Sequence, residues 1–257
     1  MSSNRLVPHR SCLCFHLTAF GLFVAGIVGG CNSEDSAGRA EPERRVLGDG
    51  TGPTGKSVVP QVAAPVTDGP LVAFLGDSIA AGLHLPAEEA FPAVLQRLLA
   101  DADLPFRLVN AGVSGDTTAG GLRRIDWLLT QEPDLVVCEV GGNDGLRGIA
   151  PEEIESNLRA IVAKSQAAGA KVLMLGHVMP PNYGEDYTQA FAAVFDRVAE
   201  DTGIDYVPFF LEGVGGVPEL NLPDGLHPTA EGHERIAAKL LPALRGVLED
   251  LGDATVR

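Results

Sequence analysis

Positive charge is scarce in this sequence: 19 Lys and Arg stand against 34 Asp and Glu, giving a net charge of −15 and a pI near 4.7. With no basic field to displace counterions from phosphates, nucleic acid is excluded as a partner. Cysteine is equally sparse. Cys12, Cys14 and Cys31 all fall near the N-terminus, and Cys138 stands alone inside an apolar run. No disulfide is expected, and Cys138 reads as a small buried hydrophobe rather than a catalytic thiol. No two histidines stand at a metal-ligand spacing such as H-E-x-x-H, which argues against zinc, and no cofactor is expected. Internal repeats and heptad runs are also missing. The apolar run from Leu17 to Val28 is too short to span a bilayer comfortably.

That short run has a different meaning. Arg5 and Arg10 precede it and Val28-Gly29-Gly30-Cys31 follows it, the order of a cleaved export signal. Small residues before a cysteine resemble the lipobox of bacterial lipoproteins, in which cleavage leaves the cysteine as the acylated first residue. Residues 1–30 are therefore expected to be a lipoprotein signal peptide and Cys31 a lipidation site. The expected location is membrane-anchored, in the periplasm or at the cell surface. Residues 31–70 are rich in Gly, Pro, Ser, Thr and charge without apolar periodicity, as in a flexible tether. Within it, Gly50 to Ser57 satisfies the P-loop pattern. The prolines that follow, Pro60 and Pro65, forbid the helix that a phosphate-holding loop requires, so the match is rejected.

From residue 71 to the end, an apolar content of 45% over the whole chain and a regular alternation of elements predict one α/β domain with a parallel sheet. Strands are expected at 71–75, 106–110, 135–140, 171–175 and 205–207. Helices are expected at 87–101, 117–131, 151–168, 187–201 and 229–251, with Leu95, Leu98 and Leu99 and then Ile236, Leu240, Leu244 and Val247 at helical spacing.

The chemistry-bearing residues fall just after these strands, where the crevice of an open α/β sheet lies. Ser78 sits at a strand-to-helix turn. By position it is a candidate nucleophile, and its other reading is a helix cap. Gly115 allows close backbone approach to a developing negative charge, and Asn143 offers an amide donor; each is also a plain turn residue. Asp224 and His227 are harder to read as incidental. Asp-x-x-His spacing lets the carboxylate fold back onto one imidazole nitrogen and leaves the other as a base for a serine hydroxyl. His84, His177 and His233 are expected to be solvated or locally bonded.

Together Gly76-Asp77-Ser78, Gly115, Gly141-x-Asn143-Asp144 and Asp224-x-x-His227 resemble, in order, the sequence blocks of the SGNH hydrolases, also called GDSL esterases and lipases. Gly112 to Thr117, Gly141 to Gly148 and Pro181 to Gly184 look most like the bacterial thioesterase I/lysophospholipase L1 (arylesterase) group. The resemblance implies a three-layer α/β/α, flavodoxin-like fold with five parallel strands in the order 2-1-3-4-5. Consistent with this, Gly76 to Ala80 lacks the G-x-S-x-G elbow of α/β-hydrolases. It also implies Ser78 as nucleophile, His227 as base and Asp224 as its orienter. The implied oxyanion donors are the backbone N–H groups of Ser78 and Gly115 and the Asn143 side chain.

The expected activity is hydrolysis of acyl esters, lysophospholipids or acyl thioesters through an acyl-enzyme, by a monomer that needs only its small-molecule substrate and a membrane anchor. A carbohydrate O-acetylesterase and a non-catalytic surface-anchored binding module are the alternatives. Leu146, Val178, Met179 and Pro180, with Leu83, Leu85 and Leu222, are candidates to seat an acyl chain. The lipobox and tether, and the Gly176-His177-Val178-Met179 stretch, depart from the pattern of that group.

Overall fold

The computed structural model of the chain describes residues 69–255. The expected signal sequence, Cys31, nearly all of the tether and the P-loop look-alike at 50–57 lie outside the described residues. Strands and helices alternate: β1 (Leu71–Gly76), α1 (Ser78–Ala81), α2 (Phe91–Ala100), β2 (Arg107–Gly112), α3 (Thr118–Leu129) and β3 (Leu135–Cys138) come first. They are followed by α4 (Gly142–Leu146), α5 (Pro151–Ala167), β4 (Lys171–Leu175), α6 (Glu185–Thr202), β5 (Asp205–Val207) and α7 (Ala230–Thr255). The five strands form one parallel sheet in the order β2-β1-β3-β4-β5.

Both faces of the sheet are covered, which is why the inner strands read as unbroken apolar runs. On one face Val72, Phe74, Val137 and Leu173 pack with Phe91, Leu95, Leu240 and Leu244 of α2 and α7. On the other, Ala73, Leu75, Val136 and Met174 pack with Ile125, Leu158, Ile161 and Phe195 of α3, α5 and α6. Cys138 is fully buried in this second layer, and burial pushes its thiol up to about 12, so it stays protonated and inert.

Element boundaries moved where special residues act. The helix expected from residue 87 begins only at Phe91, because the ring of Pro92 is tolerated only in a first turn; Ala87–Glu89 forms a separate 3₁₀ turn. β2 runs to Gly112, as the Asn110 side chain accepts from the Gly112 N–H at 3.0 Å and donates to the Ala80 carbonyl at 2.7 Å. β3 stops at Cys138, and the chain then turns through Gly141 at φ 143°. The helix that follows the Ser78 turn is the four-residue α1, and a second short helix, α4, forms unforeseen in the turn after β3; both carry polar residues of the next section.

His233 also departs from expectation. It is 1% exposed on α7, its Nδ1 accepts the Phe91 N–H at 3.1 Å, and its ring stacks on the Phe91 ring at an interplanar angle of 11°. Accepting through Nδ1 requires the neutral ring. Burial, with the nearby His227 second, lowers its pKa to about 4. In the unfolded chain the ring titrates near 6.5, so between about 6.5 and 4 only the unfolded state takes up this proton, and the stability held above that window is lost as pH falls through it. His233→Asn retains an acceptor and does not titrate. In urea unfolding at a series of pH values, the variant should gain on the native protein by roughly 3 kcal/mol between pH 7 and pH 4. A pH-independent difference would show that His233 is not held neutral.

Candidate active site

Ser78, Gly115 and Asn143 follow β1, β2 and β3, with β1 lying between the other two; His177 follows β4, and Asp224 and His227 follow β5. All therefore sit at the carboxyl edge of the sheet. Ser78 is the first residue of α1 but not its cap. Asp77 fills that role, its Oδ1 accepting the Ile79 N–H at 2.9 Å, while Gly82 closes the four-residue helix in the left-handed conformation at φ 66°. The Ser78 hydroxyl is thus free for another bond. It makes one with His227 Nε2, at 2.9 Å across 149 residues of chain.

His227 Nδ1 lies 2.6 Å from Asp224 Oδ2, and Asp224 Oδ1 accepts the N–H groups of Leu226 at 2.9 Å and His227 at 3.0 Å. These bonds, the His227 backbone N–H foremost, hold the Asp224 carboxyl well below the ordinary carboxylate range. An ionised Asp224 can only accept, so Nδ1 carries the proton and donates it as a hydrogen bond to Oδ2, which leaves the Nε2 lone pair toward Ser78. The loop is braced by the Leu222 N–H on the His227 carbonyl at 2.7 Å and by the antiparallel bridge between Asn221 and Pro228.

The Asn143 side chain donates from Nδ2 to Asp77 Oδ2 at 3.0 Å. Its neighbour Asp144 accepts from the Thr118 N–H at 2.8 Å and hydroxyl at 2.6 Å, tying α4 to the start of α3. Arg147 Nη2 donates to the Gly115 carbonyl at 2.8 Å, so the loop after β2 is held from α4 as well. Gly115 itself has φ 78°, a conformation that favours glycine.

A cavity of about 490 Å³ opens beside the Ser78–His227 pair. Leu146, Val178, Met179 and Pro180 line it, as do Ile79, Phe209 and Leu226, while Leu83, Leu85 and Leu222 are not among its lining residues. His177 also borders it but is neither solvated nor locally bonded. It is 3% exposed between Phe195 and Phe210, its Nε2–H donates to the Glu139 carbonyl at 2.8 Å, and burial lowers its pKa to about 4.

Sequence reasoning missed three supporting residues: Asp77, Glu139 and Arg124. Glu139 is wholly buried and accepts the Asp77 N–H at 2.9 Å; a charged residue type inside an otherwise apolar strand was the available signal. Arg124 donates to Asp116 Oδ2 at 2.6 Å and to the Gly76 carbonyl at 2.7 Å, and Nη1 reaches the Ala111 carbonyl. One guanidinium thereby spans the ends of β1 and β2, immediately before Ser78 and Gly115. Among the described residues no group of three or more His, Cys, Asp or Glu side chains is placed to hold a metal ion.

A sequence model of the GDSL-like lipase/acylhydrolase family matches residues 74–235. The chain is similar to esterase TesA of Pseudomonas aeruginosa, 49% identical over 175 residues that cover 68% of this chain and 87% of that protein. It is also similar to thioesterase 1/protease 1/lysophospholipase L1 of Escherichia coli, 40% identical over 164 residues covering 63% of this chain and 77% of the other. Among solved structures, that of a protein named TesA superposes with a TM-score of 0.67 at 48% identity, covering 69% of this chain and 99% of that one.

The Arg124 bracket can be tested without any assumption about the reaction. Its side chain is 20% exposed and that of Asp116 11%. Arg124→Met leaves a largely buried carboxylate unpaired and should cost about 3 kcal/mol in urea unfolding. Adding Asp116→Asn should recover part of the loss. Additive losses would mean that the two side chains do not act as a pair.

Proposed function

The chain belongs to the GDSL-like lipase/acylhydrolase family and is an esterase, and on that premise we propose that Ser78 is its nucleophile, with His227 as base and Asp224 as the group that orients it. The observation that carries the assignment is the unbroken line from Asp224 Oδ2 through both His227 nitrogens to Ser78 Oγ, beside an apolar cavity. His227 Nε2 takes the hydroxyl proton as Ser78 Oγ attacks the acyl carbonyl. Asp224 stabilises the imidazolium so formed, and the ring then gives the proton to the departing alcohol or thiol. Water repeats the sequence on the acyl-enzyme and releases the acid, regenerating Ser78. The Ser78 and Gly115 N–H groups and the Asn143 amide hold the oxyanion.

The substrates proposed are acyl esters, lysophospholipids and acyl thioesters. Support comes from the relatives' names and from Leu146, Val178, Met179 and Pro180 along the cavity, a lining that suits an aliphatic chain better than an acetylated sugar. In a series of p-nitrophenyl esters, kcat/KM should rise from acetyl to longer acyl groups. A maximum at acetyl would favour the O-acetylesterase reading.

Ser78→Ala should abolish turnover with stability nearly unchanged, as Ser78 caps nothing. Asn143→Ala should lower kcat by about 10²–10³ with little effect on KM, since its hydrogen bond to the carbonyl oxygen strengthens only as charge develops there. Native kcat in either variant removes that residue from the machinery.

The remaining proposal concerns location: a monomer exported and held at a membrane by acyl chains on Cys31, with a tether to the catalytic domain beginning at Leu71. Its support is the sequence Val28-Gly29-Gly30-Cys31 at the end of the apolar run. The full-length protein should fractionate with membranes, and Cys31→Ser should block processing. A variant cleaved and released normally would overturn the lipid anchor.

A further inference from the structure

We propose that Glu139 is a neutral carboxylic acid that positions the Asn143 amide through Asp77, making Glu139 a positioning residue for the oxyanion hole. The inference rests on the reading of Asn143 as an oxyanion donor.

Glu139 and Asp77 lie together at the ends of β3 and β1, 0% and 3% exposed, and their carboxyl groups are within hydrogen-bonding reach of each other. Among the described residues neither forms an ion pair with Lys or Arg; the titratable neighbours are His227, which faces Asp77, and Cys138 and His177 beside Glu139. Two contacting carboxyls in such a place cannot both ionise, so one proton is retained.

The hydrogen bonds say which group keeps it. Asp77 is furnished as an anion: Oδ1 takes the Ile79 N–H and Oδ2 takes Asn143 Nδ2. Glu139 is furnished as an acid. Its Oε2 accepts the Asp77 N–H at 2.9 Å and the Ala80 N–H also faces the carboxyl, whereas Oε1 is buried without a hydrogen-bond partner. Charge spread onto an oxygen with no donor would be strongly opposed, and a protonated carboxyl avoids that cost. Burial holds the Glu139 carboxyl well above its ordinary range, with the Asp77 charge adding to the effect. The space is shaped for this contact: a Cβ on Gly76 would stand 2.5 Å from Glu139 Oε2 and 2.3 Å from the Ala80 Cβ.

The consequence reaches the site through amide geometry. The Asp77 carboxylate can only accept, so it selects the flip of Asn143 that presents NH₂, with one hydrogen on Asp77 and the second left for substrate. The Glu139 hydroxyl and the Ile79 N–H fix where that carboxylate stands.

The test combines kinetics with a direct view of the proton. With ¹³C-labelled Glu carboxyls, one resonance should stay at the protonated position at pH 7 and disappear in Glu139→Gln. Glu139→Ala should lower kcat by about 10- to 100-fold at unchanged KM, the scale of a misplaced catalytic group. Glu139→Gln, which can still donate to Asp77, should recover most of that loss. An ionised Glu139 at pH 7 overturns the proposal, and so does a Gln variant as slow as the Ala one or an Ala variant as fast as the native enzyme. Should the Ala variant fail to fold, the resonance and the Gln variant still decide. Native kcat in Asn143→Ala would bring down the oxyanion reading and this proposal together, whereas a slow Asn143→Ala beside native Glu139 variants overturns this proposal alone.

Discussion

Asp77, buried at the end of β1, holds three segments at once. Its carboxylate caps α1 through Ile79 and accepts from Asn143 of α4, and its backbone N–H donates to the Glu139 carboxyl just after β3. A helix of four residues has no stability of its own, since nucleation costs more than one turn of hydrogen bonds returns. α1 therefore exists because Asp77 satisfies its first turn and Gly82 closes its last. Ser78 inherits its place from that arrangement. The same carboxylate sets the distance between the turns after β1 and β3, and Arg124 does so for β1 and β2.

The partner of Ser78 comes from far along the chain, and bringing it home carries a loop-closure cost that grows only slowly with length. That cost is offset by packing rather than by the Ser78–His227 bond. Ile236, Leu240, Leu244 and Val247 of α7 join the core with α2, and His233 takes the Phe91 N–H at the start of α2. The Asp224–His227 loop is thus the last turn before a firmly docked helix. Within the loop the bonds are local: Asp224 accepts two N–H groups within three residues.

Local grammar and apolar periodicity explain why much of this was legible in the sequence. All five strands and the five long helices lie within a few residues of their expected places, because each buries an apolar stripe of the right period. That Asp224, His227 and Ser78 would meet was readable because their spacing and their places after strands carry meaning without three-dimensional information. What was not legible is non-local. His177 and His233 were expected to be solvated or locally bonded, yet each is buried against aromatic rings from distant segments. Glu139 was absorbed into a predicted strand, and nothing in its neighbours names Asp77, 62 residues away, as its partner. Arg124 looks like any helical arginine until β1 and β2 end on its guanidinium.

The carboxyl groups around Ser78 stand in opposite electrostatic settings, and the opposition follows from what each lies next to. Asp224, its side chain 40% exposed and bonded by backbone donors, stays charged at little cost beside the His227 ring. Asp77 and Glu139 sit behind Asn143, the amide proposed above to bind an oxyanion. A second full negative charge there would oppose the developing one through a poorly screened interior. Burial meets this constraint by raising both acids, Asp77 to about 6 and Glu139 well above its ordinary range, so the pair favours at most one charge near neutrality. Environment alone thus sorts chemically similar side chains, keeping negative charge beside the imidazole and limiting it behind the amide.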